Sequence, residues 1–457
     1  MPASARPILN RRQALSRLAV GGAAVTLGLG LRPVRAASPS PARLRLAFWG
    51  VGGRGRANVY NLADHQAMAF ADVDDVRAAE IYEKFPSVPR YRDHRVLLDR
   101  HAHEIDGIVI STPDHWHLDM GLAAIRAGKH VYLEKPLAPT IWECRELRKA
   151  AAASGVITQF GAQGHSFEAL QVLREWVDAG VVGAIHAVYL WTDRMRPHDY
   201  VAADEPLPGQ AVPSTFDWEQ WLGPRRSRPY HPGYAPSRWR NWWDFGAGAV
   251  TDIGVHMFDV LQSTFDLGVP DSVTAEGSPP KALTAPEWAR VVWRFPARAG
   301  RGPLAVTWLG GFDGGVVVKP DTVPGLSREL VQRTDSGMAF VGTEGTLFIP
   351  DMRASSRPRI YPEAREREVL ASPPPRTRPR PKGGHWQDWT DAILAGRPAS
   401  APLAYGAEVT ETVLLGALAL RSRKEVRWLP EAMRCVDNPA ADAWVTPANR
   451  PGWSPGA

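Results

Sequence analysis

A glycine-rich turn caught between two different periodicities constrains this chain most. Residues 44–49 form an apolar segment of strand length broken only by Arg45, residues 56–62 repeat with helical spacing, and Gly50-Val51-Gly52-Gly53-Arg54-Gly55 lies between them. A strand that turns at once into a helix needs one residue without a Cβ at the bend. It needs a second where the backbone is approached closely, and a third where the helix packs on the strand. The helix start then presents unpaired N–H groups and the positive end of its dipole, which suits a pyrophosphate. Asp72 ends the next predicted strand (67–73), 22 residues after Gly50. At that offset a carboxylate accepts the ribose hydroxyls of NAD and repels the 2′-phosphate of NADP. An aspartate there can also simply cap the following turn, and a glycine triplet alone is weak evidence in a chain with 41 glycines.

The downstream pattern gives the turn its context. Helical spacing over 77–85, 117–127 and 141–154 alternates with apolar runs at 105–110, 130–133 and 157–159. Such alternation implies right-handed βαβ units on a parallel sheet, a Rossmann-type dinucleotide-binding domain over 43–164. Beyond residue 165 the character changes. A helix (168–179) and a strand (185–192) lead into a Pro- and Trp-rich stretch, 193–245, with little periodicity. Strand-like segments at 272–276, 290–295, 304–308, 338–342 and 346–349 follow without intervening helices, so an open, mostly antiparallel sheet is expected. Residues 350–382 read as an irregular surface loop, 386–395 and 407–421 as closing helices, and 431–457 as a tail. The fold class is therefore α/β, with a second α/β domain over 165–430.

With 44% hydrophobic and 22% charged residues the composition is that of a soluble globular protein. A formal charge of +6 suggests a nucleic-acid partner, and its location argues against one. Six arginines and no lysine, aspartate or glutamate fall in residues 1–36, leaving 48 bases against 48 acids elsewhere. Arg11-Arg12, an apolar run from Leu18 to Leu31 and Val34-Arg35-Ala36 have the form of a twin-arginine (Tat) signal cleaved after Ala36, with 37–42 as a linker. The run is too short for a comfortable membrane span, so no stable insertion is expected after cleavage. A periplasmic or secreted location follows. Cys144 and Cys435 read as two core thiols, although pairing is open.

Two further motifs, Ser111-Thr112-Pro113-Asp114-His115-Trp116-His117 and Gly128-Lys129-His130-Val131-Tyr132-Leu133-Glu134-Lys135-Pro136, together with the run from Trp242 to His256, resemble the glucose–fructose oxidoreductase/inositol dehydrogenase (Gfo/Idh/MocA) family. The resemblance covers most of 43–430, and Trp-Leu-Gly-Pro at 221–224 points to a secreted branch. It implies an active site between the two domains and sugar, cyclitol or polyol substrates. By resemblance the cofactor side comprises Gly50, Gly52, Gly53, Arg54, Gly55, Asp72, Ser111, Thr112, Pro113, His115, His117, Glu134, Lys135 and Gln163. The same resemblance makes Lys135, Asp252 and His256 the catalytic set.

The residues themselves support that set. Oxidising a carbinol requires a hydride acceptor and a base for the hydroxyl proton. Lys135 follows a strand at the carboxyl edge of the sheet, where open α/β sheets bind ligands. Asp252 and His256, at i and i+4, are expected on one helix face, with the carboxylate either orienting the imidazole or binding a neighbouring substrate hydroxyl. An ordinary surface Asp–His pair has the same spacing. Arg238, Trp239, Arg240 and Trp243, within an aromatic-rich stretch, suit the C–H faces and hydroxyls of a sugar, or else a core or subunit interface. His115 and His117 tempt a metal reading, but no third or fourth ligand accompanies them, so no metal is expected.

These features point to an oxidoreductase acting with NAD on a carbinol of a sugar, glycoside or polyol. Outside the cytoplasm no NAD pool regenerates a released cofactor, so a tightly held one is expected. An NAD-dependent glycoside hydrolase working through a transient keto-glycoside is the alternative, and a non-catalytic sugar- or nucleotide-binding protein is a second. An open sheet would support a homodimer or homotetramer.

Overall fold

The computed structural model describes residues 43–453 and 455, apart from 195–196, 280 and 299. The expected export signal and linker (1–42) lie outside the described residues. Six strands form the first sheet: β1 (Arg45–Trp49), β2 (Gln66–Ala71), β3 (Arg90–Tyr91), β4 (Gly107–Ile110), β5 (His130–Glu134) and β6 (Thr158–Gly161). All pairs are parallel, in the order β3-β2-β1-β4-β5-β6. Helices cover both faces, which is why β4 and most of β1 and β5 are buried on consecutive residues rather than alternately. The order reverses between β1 and β4. That switch point opens a crevice at the carboxyl ends, where the turns after both strands meet.

The second sheet contains β7 (Ala187–Thr192), β8 (Ser272–Gly277), β9 (Trp288–Phe295), β10 (Leu304–Asp313), β11 (Val316–Val317), β12 (Gly337–Val341), β13 (Thr346–Ile349) and β14 (Arg359–Tyr361). Its order is β14-β13-β12-β7-β10-β9-β8, with β11 pairing on β10, and only β7–β10 is parallel. The long helix Leu403–Ser422, apolar on nearly every face, packs between this sheet and helix Ile141–Ser154 of the first layer. Trp293 of β9 donates its indole N–H to the Thr412 carbonyl at 2.9 Å, fixing the helix to the sheet.

Three regions differ from the sequence reading. Helix Gly384–Ala395, assigned to the second domain, packs on the first sheet, with Trp389 buried beside Leu46, Phe70 and Tyr132. A chain can return to an earlier layer without any local signal. Residues 350–382, expected to be irregular, include β14 and helix Glu363–Ala371. That helix has only a faint apolar stripe, and Glu366 holds it by accepting both forks of Arg359 at 2.6 and 2.7 Å. The tail is also anchored: Trp453 donates to Asp119 Oδ1 at 2.6 Å, and Trp142 N–H reaches the Val445 carbonyl at 3.0 Å.

The aperiodic stretch 193–245 folds around its own rings. Trp218 stacks on Trp221 with centroids 5.0 Å apart, and Tyr234, Trp242 and Phe245 complete the cluster. Buried indoles need acceptors, and Trp218 and Trp242 find the Arg228 and Gly233 carbonyls at 2.7 and 3.0 Å. Arg225, fully buried, ties the stretch to the first domain through Glu143 at 2.8 Å. Cys144 and Cys435 are both buried and unpaired.

Candidate active site

At the switch point the glycine turn is fixed by contacts that leave no room for side chains. Gly50 has φ +76°, and a Cβ there would stand 2.9 Å from the Ser111 carbonyl group. A Cβ on Gly55 would stand 1.8 Å from the Gly50 oxygen, so the third glycine lets helix Arg54–Asn61 sit on the turn. Gly50, Gly52 and Arg54 line a cleft with about 1080 Å³ of empty space, while Gly53 and Gly55 lie behind its wall. Ser111, Thr112 and Pro113, on the turn after β4, form the facing wall. These residues fit a dinucleotide: the glycines clear the space that Cβ atoms would fill, and the helix start borders it.

Asp72 lines the same cleft and also braces the turn. Its Oδ2 accepts from the N–H groups of Val51 and Gly52 at 2.8 and 3.0 Å, and its Oδ1 accepts from Asp74 N–H at 3.0 Å. Burial pushes this carboxyl up from the ordinary range, and the three amides pull against that rise. The capping and ribose roles weighed from the sequence are thus compatible, since each carboxylate oxygen has two lone pairs.

Farther along the cleft, side chains take over from backbone. Lys135 follows β5, and its Nζ donates to both the carbonyl and Oδ1 of Asp252, each at 2.7 Å. Arg240 Nε lies 3.4 Å from the other oxygen, Oδ2. Burial alone would raise the Asp252 carboxyl, and the two cations outweigh it, holding the group below the usual carboxylate range. Glu134 Oε1 accepts from Arg54, Asn58 and Gln163 at 3.2, 3.0 and 3.0 Å. Gln163 does not line the cleft. It stands behind Glu134, between Tyr132 and the Gly161 carbonyl, and positions that carboxylate.

The Asp252–His256 expectation is corrected. The helix breaks at Ile253 into Ala249–Asp252 and Gly254–Phe265, because Lys135 takes the Asp252 carbonyl and His256 N–H turns to Ile253 instead, at 3.1 Å. The carboxylate therefore orients Lys135 and not the imidazole. His256 is 2% exposed, its Nδ1 has no partner, and its Nε2 lies 3.4 Å from Arg353 Nη2. Burial, then the charges of Lys135, Arg353, Arg54 and Arg194, push its pKa well below the ordinary histidine value, so the ring is uncharged.

His115 and His117 both lie away from the cleft and act as struts. His115 Nε2 faces the Trp221 carbonyl at 2.8 Å, with its ring between Trp221 and Phe245. His117 spans the Thr112 carbonyl (3.0 Å) and the Pro136 carbonyl (2.9 Å), joining the turn after β4 to the Lys135 loop. Of the aromatic-stretch residues, Trp239 and Arg240 line the cleft, with the guanidinium 4.4 Å from the indole centroid. Arg238 is exposed to solvent and off the cleft. Trp243 faces elsewhere, toward Arg421 at 5.2 Å, because successive residues of this short turn point in different directions.

Asp114 in the cleft and Arg353 against His256 were assigned no role from the sequence. Asp114 lines the cleft, is 2% exposed, and has an Oδ2 without a hydrogen-bond partner. Burial and then the Asp252 charge push it well above the ordinary carboxylate value, with Lys135 and Arg240 pulling the other way, so its shift is opposite in sign to that of Asp252. Its place inside the Ser111–His117 motif was the available signal. Arg353 lies in the stretch read as irregular and carried no signal at all.

Residues 44–162 match the family model described as oxidoreductase family, NAD-binding Rossmann fold, and residues 170–298 match its C-terminal alpha/beta domain. A 1,5-anhydro-D-fructose reductase of Ensifer adhaerens is 38% identical over 93 residues, which is 19% of this chain and 28% of that protein. An alpha-N-acetylgalactosaminidase of Shewanella oneidensis is 32% identical over 122 residues, 24% of this chain and 26% of that protein. The chain thus spans little more than a quarter of the length of either relative. The WlbA dehydrogenase of Bordetella pertussis, solved with NADH and UDP-GlcNAcA, has the same fold, with TM-score 0.58 and 18% identity over 85% of this chain and 99% of that one. The aldose-aldose oxidoreductase of Caulobacter crescentus follows at TM-score 0.55, with 17% identity over 84% of this chain and 100% of the other. With both domains matched in order along one chain, this protein belongs to the Gfo/Idh/MocA oxidoreductase family.

Proposed function

We propose that this protein oxidises a carbinol of a sugar, glycoside or polyol with NAD, and that it holds the cofactor tightly enough to recycle it in place. The observation that carries the reading is the Lys135–Asp252 pair, set at the carboxyl edge of the parallel sheet in the same cleft as the glycine turn. Gly50, Gly52, Asp72, Ser111 and Thr112 are the residues to hold the dinucleotide, and Asp72 favours NAD by repelling a 2′-phosphate. When bound, the nicotinamide supplies a hydride acceptor.

The chain supplies the rest. Lys135, held in place by Asp252, donates to the substrate oxygen as negative charge develops there. His256 takes the hydroxyl proton on Nε2, the nitrogen that faces Arg353 Nη2 at 3.4 Å, once that guanidinium is drawn away. The leader supports export by the twin-arginine route, which carries folded cargo, and a cofactor loaded before export has to be retained.

A redox-neutral glycosidase is the second reading. It is supported by the galactosaminidase similarity and by Asp114, a carboxyl in the cleft whose pKa is raised by burial, the direction a proton donor to a leaving oxygen needs. One experiment separates the two. The mature protein is purified and its bound nucleotide identified by mass spectrometry, and it is then incubated with a panel of glycosides and free sugars. Reduced cofactor accumulating with a sugar supports the oxidoreductase, and aglycone release without net NADH supports the glycosidase. Failure to retain or take up any dinucleotide would overturn both.

A further inference from the structure

Around His256 positive charge exceeds negative. Lys135, Arg353, Arg54 and Arg194 all oppose its protonation. Two of these cations have partners: Lys135 is met by Asp252 at 2.7 Å and Arg54 by Glu134 at 3.2 Å. The other two have none. Among the described residues, neither the Arg353 nor the Arg194 guanidinium lies within ion-pair distance of a carboxylate. Arg353 Nε is buried without any hydrogen-bond partner, and the one side chain that Arg353 reaches is His256, itself left with a free Nδ1. On this half-buried side chain the Nε–H is a buried donor without an acceptor, which is costly, so the arrangement gains when an acceptor arrives.

The turn that carries Arg353 is built to present it. Asp351 accepts from the backbone N–H groups of Arg353, Ser355 and Ser356 at 2.8, 3.0 and 2.8 Å. The only nearby acid on this turn is therefore spent on backbone, which leaves the guanidinium free to face inward. A guanidinium fork matches the two oxygens of a carboxylate or the oxygens of a phosphate ester.

We propose that the substrate is an acidic sugar whose anionic group is bound by Arg353, assisted by Arg194, beside the carbinol that Lys135 and His256 act on. This rests on the carbinol-oxidising reading and names its substrate class. A mechanistic consequence follows. An anion seated on Arg353 cancels part of the positive field on His256 and raises its affinity for a proton, while Asp252 and Glu134 remain engaged with Lys135 and Arg54. The acidic substrate thus strengthens the base that deprotonates it.

The test uses the full mature protein with its nucleotide bound. Calorimetric titrations at fixed ionic strength compare D-glucose with D-glucuronate, D-galactose with D-galacturonate and D-mannose with D-mannuronate, and include D-glucose 6-phosphate. In at least one case the acidic sugar is expected to bind about tenfold or more tighter than its neutral partner. Arg353→Gln should remove that advantage, and Arg194→Gln, on an exposed side chain, should remove part of it. A gain confined to the phosphate ester identifies the anionic group as phosphate, and a gain for a uronate identifies it as carboxylate. The His256 midpoint, followed by ring ¹⁵N shifts, should rise by about one unit with the preferred acid and not with its neutral partner. The proposal is overturned if no acidic sugar out-binds its neutral partner, or if both arginine variants keep full affinity for the acid. Nucleotide content is measured on the same samples. Protein that holds NAD but shows no preference for acids defeats this inference alone, whereas protein that holds no nucleotide defeats the oxidoreductase reading.

Discussion

The two ends of the cleft are built by different means. At the nucleotide end the surface is mostly backbone: the glycine turn, the start of helix Arg54–Asn61 and the turn after β4, braced by one carboxylate. At the sugar end side chains take over: Asp114, Lys135, Arg240 and Asp252 line the cleft, while His256 and Arg353 meet each other off its lining, and the six are scattered over some 240 residues of sequence. A backbone-built surface tolerates little change in shape, and of its ionisable neighbours Asp72 alone accepts from the glycine turn. A side-chain surface can be altered one group at a time, and each alteration shifts the charge balance of the rest. Substitutions at the nucleotide end should therefore act on stability and cofactor binding together, and those at the sugar end on turnover and charge balance with cofactor affinity little changed.

Lys135→Gln tests that division most severely. It removes the donor to the substrate oxygen and leaves the Asp252 carboxylate buried against Arg240 only. Turnover should fall by about 10³-fold, within the range of a lost positioned acid–base or electrostatic group, while NAD affinity changes little. Stopped-flow rates and nucleotide titration on the same preparation give both numbers. A variant with parallel losses in rate and NAD affinity would break the comparison.

Gly55→Ala is the complementary change. Its Cβ would overlap the Gly50 oxygen, so the helix has to move off the turn, at a cost of about 1–3 kcal/mol as for other overpacked sites. The melting temperature and NAD affinity should both fall, and addition of saturating NAD should restore less than it does in the parent protein.

Asp114 and Asp252 sharpen the comparison within the sugar end, because their pKa values move in opposite directions. Asp114 has a raised folded value, so the stability it contributes is present below the ordinary carboxylate value of about 3.9 and is lost as pH rises through the folded value. Asp252 has a lowered one, so its contribution is present above about 3.9 and is lost as pH falls through the folded value. Asp114→Asn should accordingly raise the melting temperature near neutrality while reducing turnover by about 10²-fold and removing one limb of the pH–rate profile. Asp252→Asn should lower the melting temperature near neutrality. Thermal scans of both variants from about pH 4 to pH 8 decide this, and shifts of the same sign for the two would show the carboxyls to be equivalent.

The same division explains how much was legible in the sequence. The glycine turn, Asp72 and the β–α alternation announce themselves locally, because each depends on neighbours a few residues away. Lys135 could be placed from its position after β5. Asp252 and His256 were found by spacing, yet their supposed contact was not, since the helix break at Ile253 depends on Lys135 arriving from more than a hundred residues earlier. His115 and His117 have the chemistry of ligands and the positions of struts, a distinction that only their carbonyl partners reveal. Arg353 was invisible because the turn that holds it, after β13, shows no periodicity. Helix Gly384–Ala395 and the anchored tail depend on long-range packing of Trp389 and Trp453, and composition carries no mark of where a tryptophan docks.

The smallest expected effect discriminates most finely. Arg238 and Arg240 are two residues apart, equal in chemistry, and were read together as sugar contacts. The 3₁₀ turn Arg238–Asn241 separates them: Arg240 lies over Trp239 and reaches Asp252, while Arg238 points to solvent. Arg240→Gln removes one of the two cations that keep Asp252 ionised. The Asp252 pKa should then rise, the acid limb of the pH–rate profile should move upward, and rate near neutrality should fall by about fivefold to tenfold, the scale of a partly exposed ion pair. Arg238→Gln touches neither the cleft nor a carboxylate partner, and is expected to stay within about 0.5 kcal/mol in stability with rate unchanged. Equal losses from both would mean that the turn rearranges when substrate binds and carries Arg238 into the cleft. A loss from Arg240 alone would show that one residue of the aromatic-rich stretch belongs to the charge balance of the sugar end, while its neighbour two positions away does not.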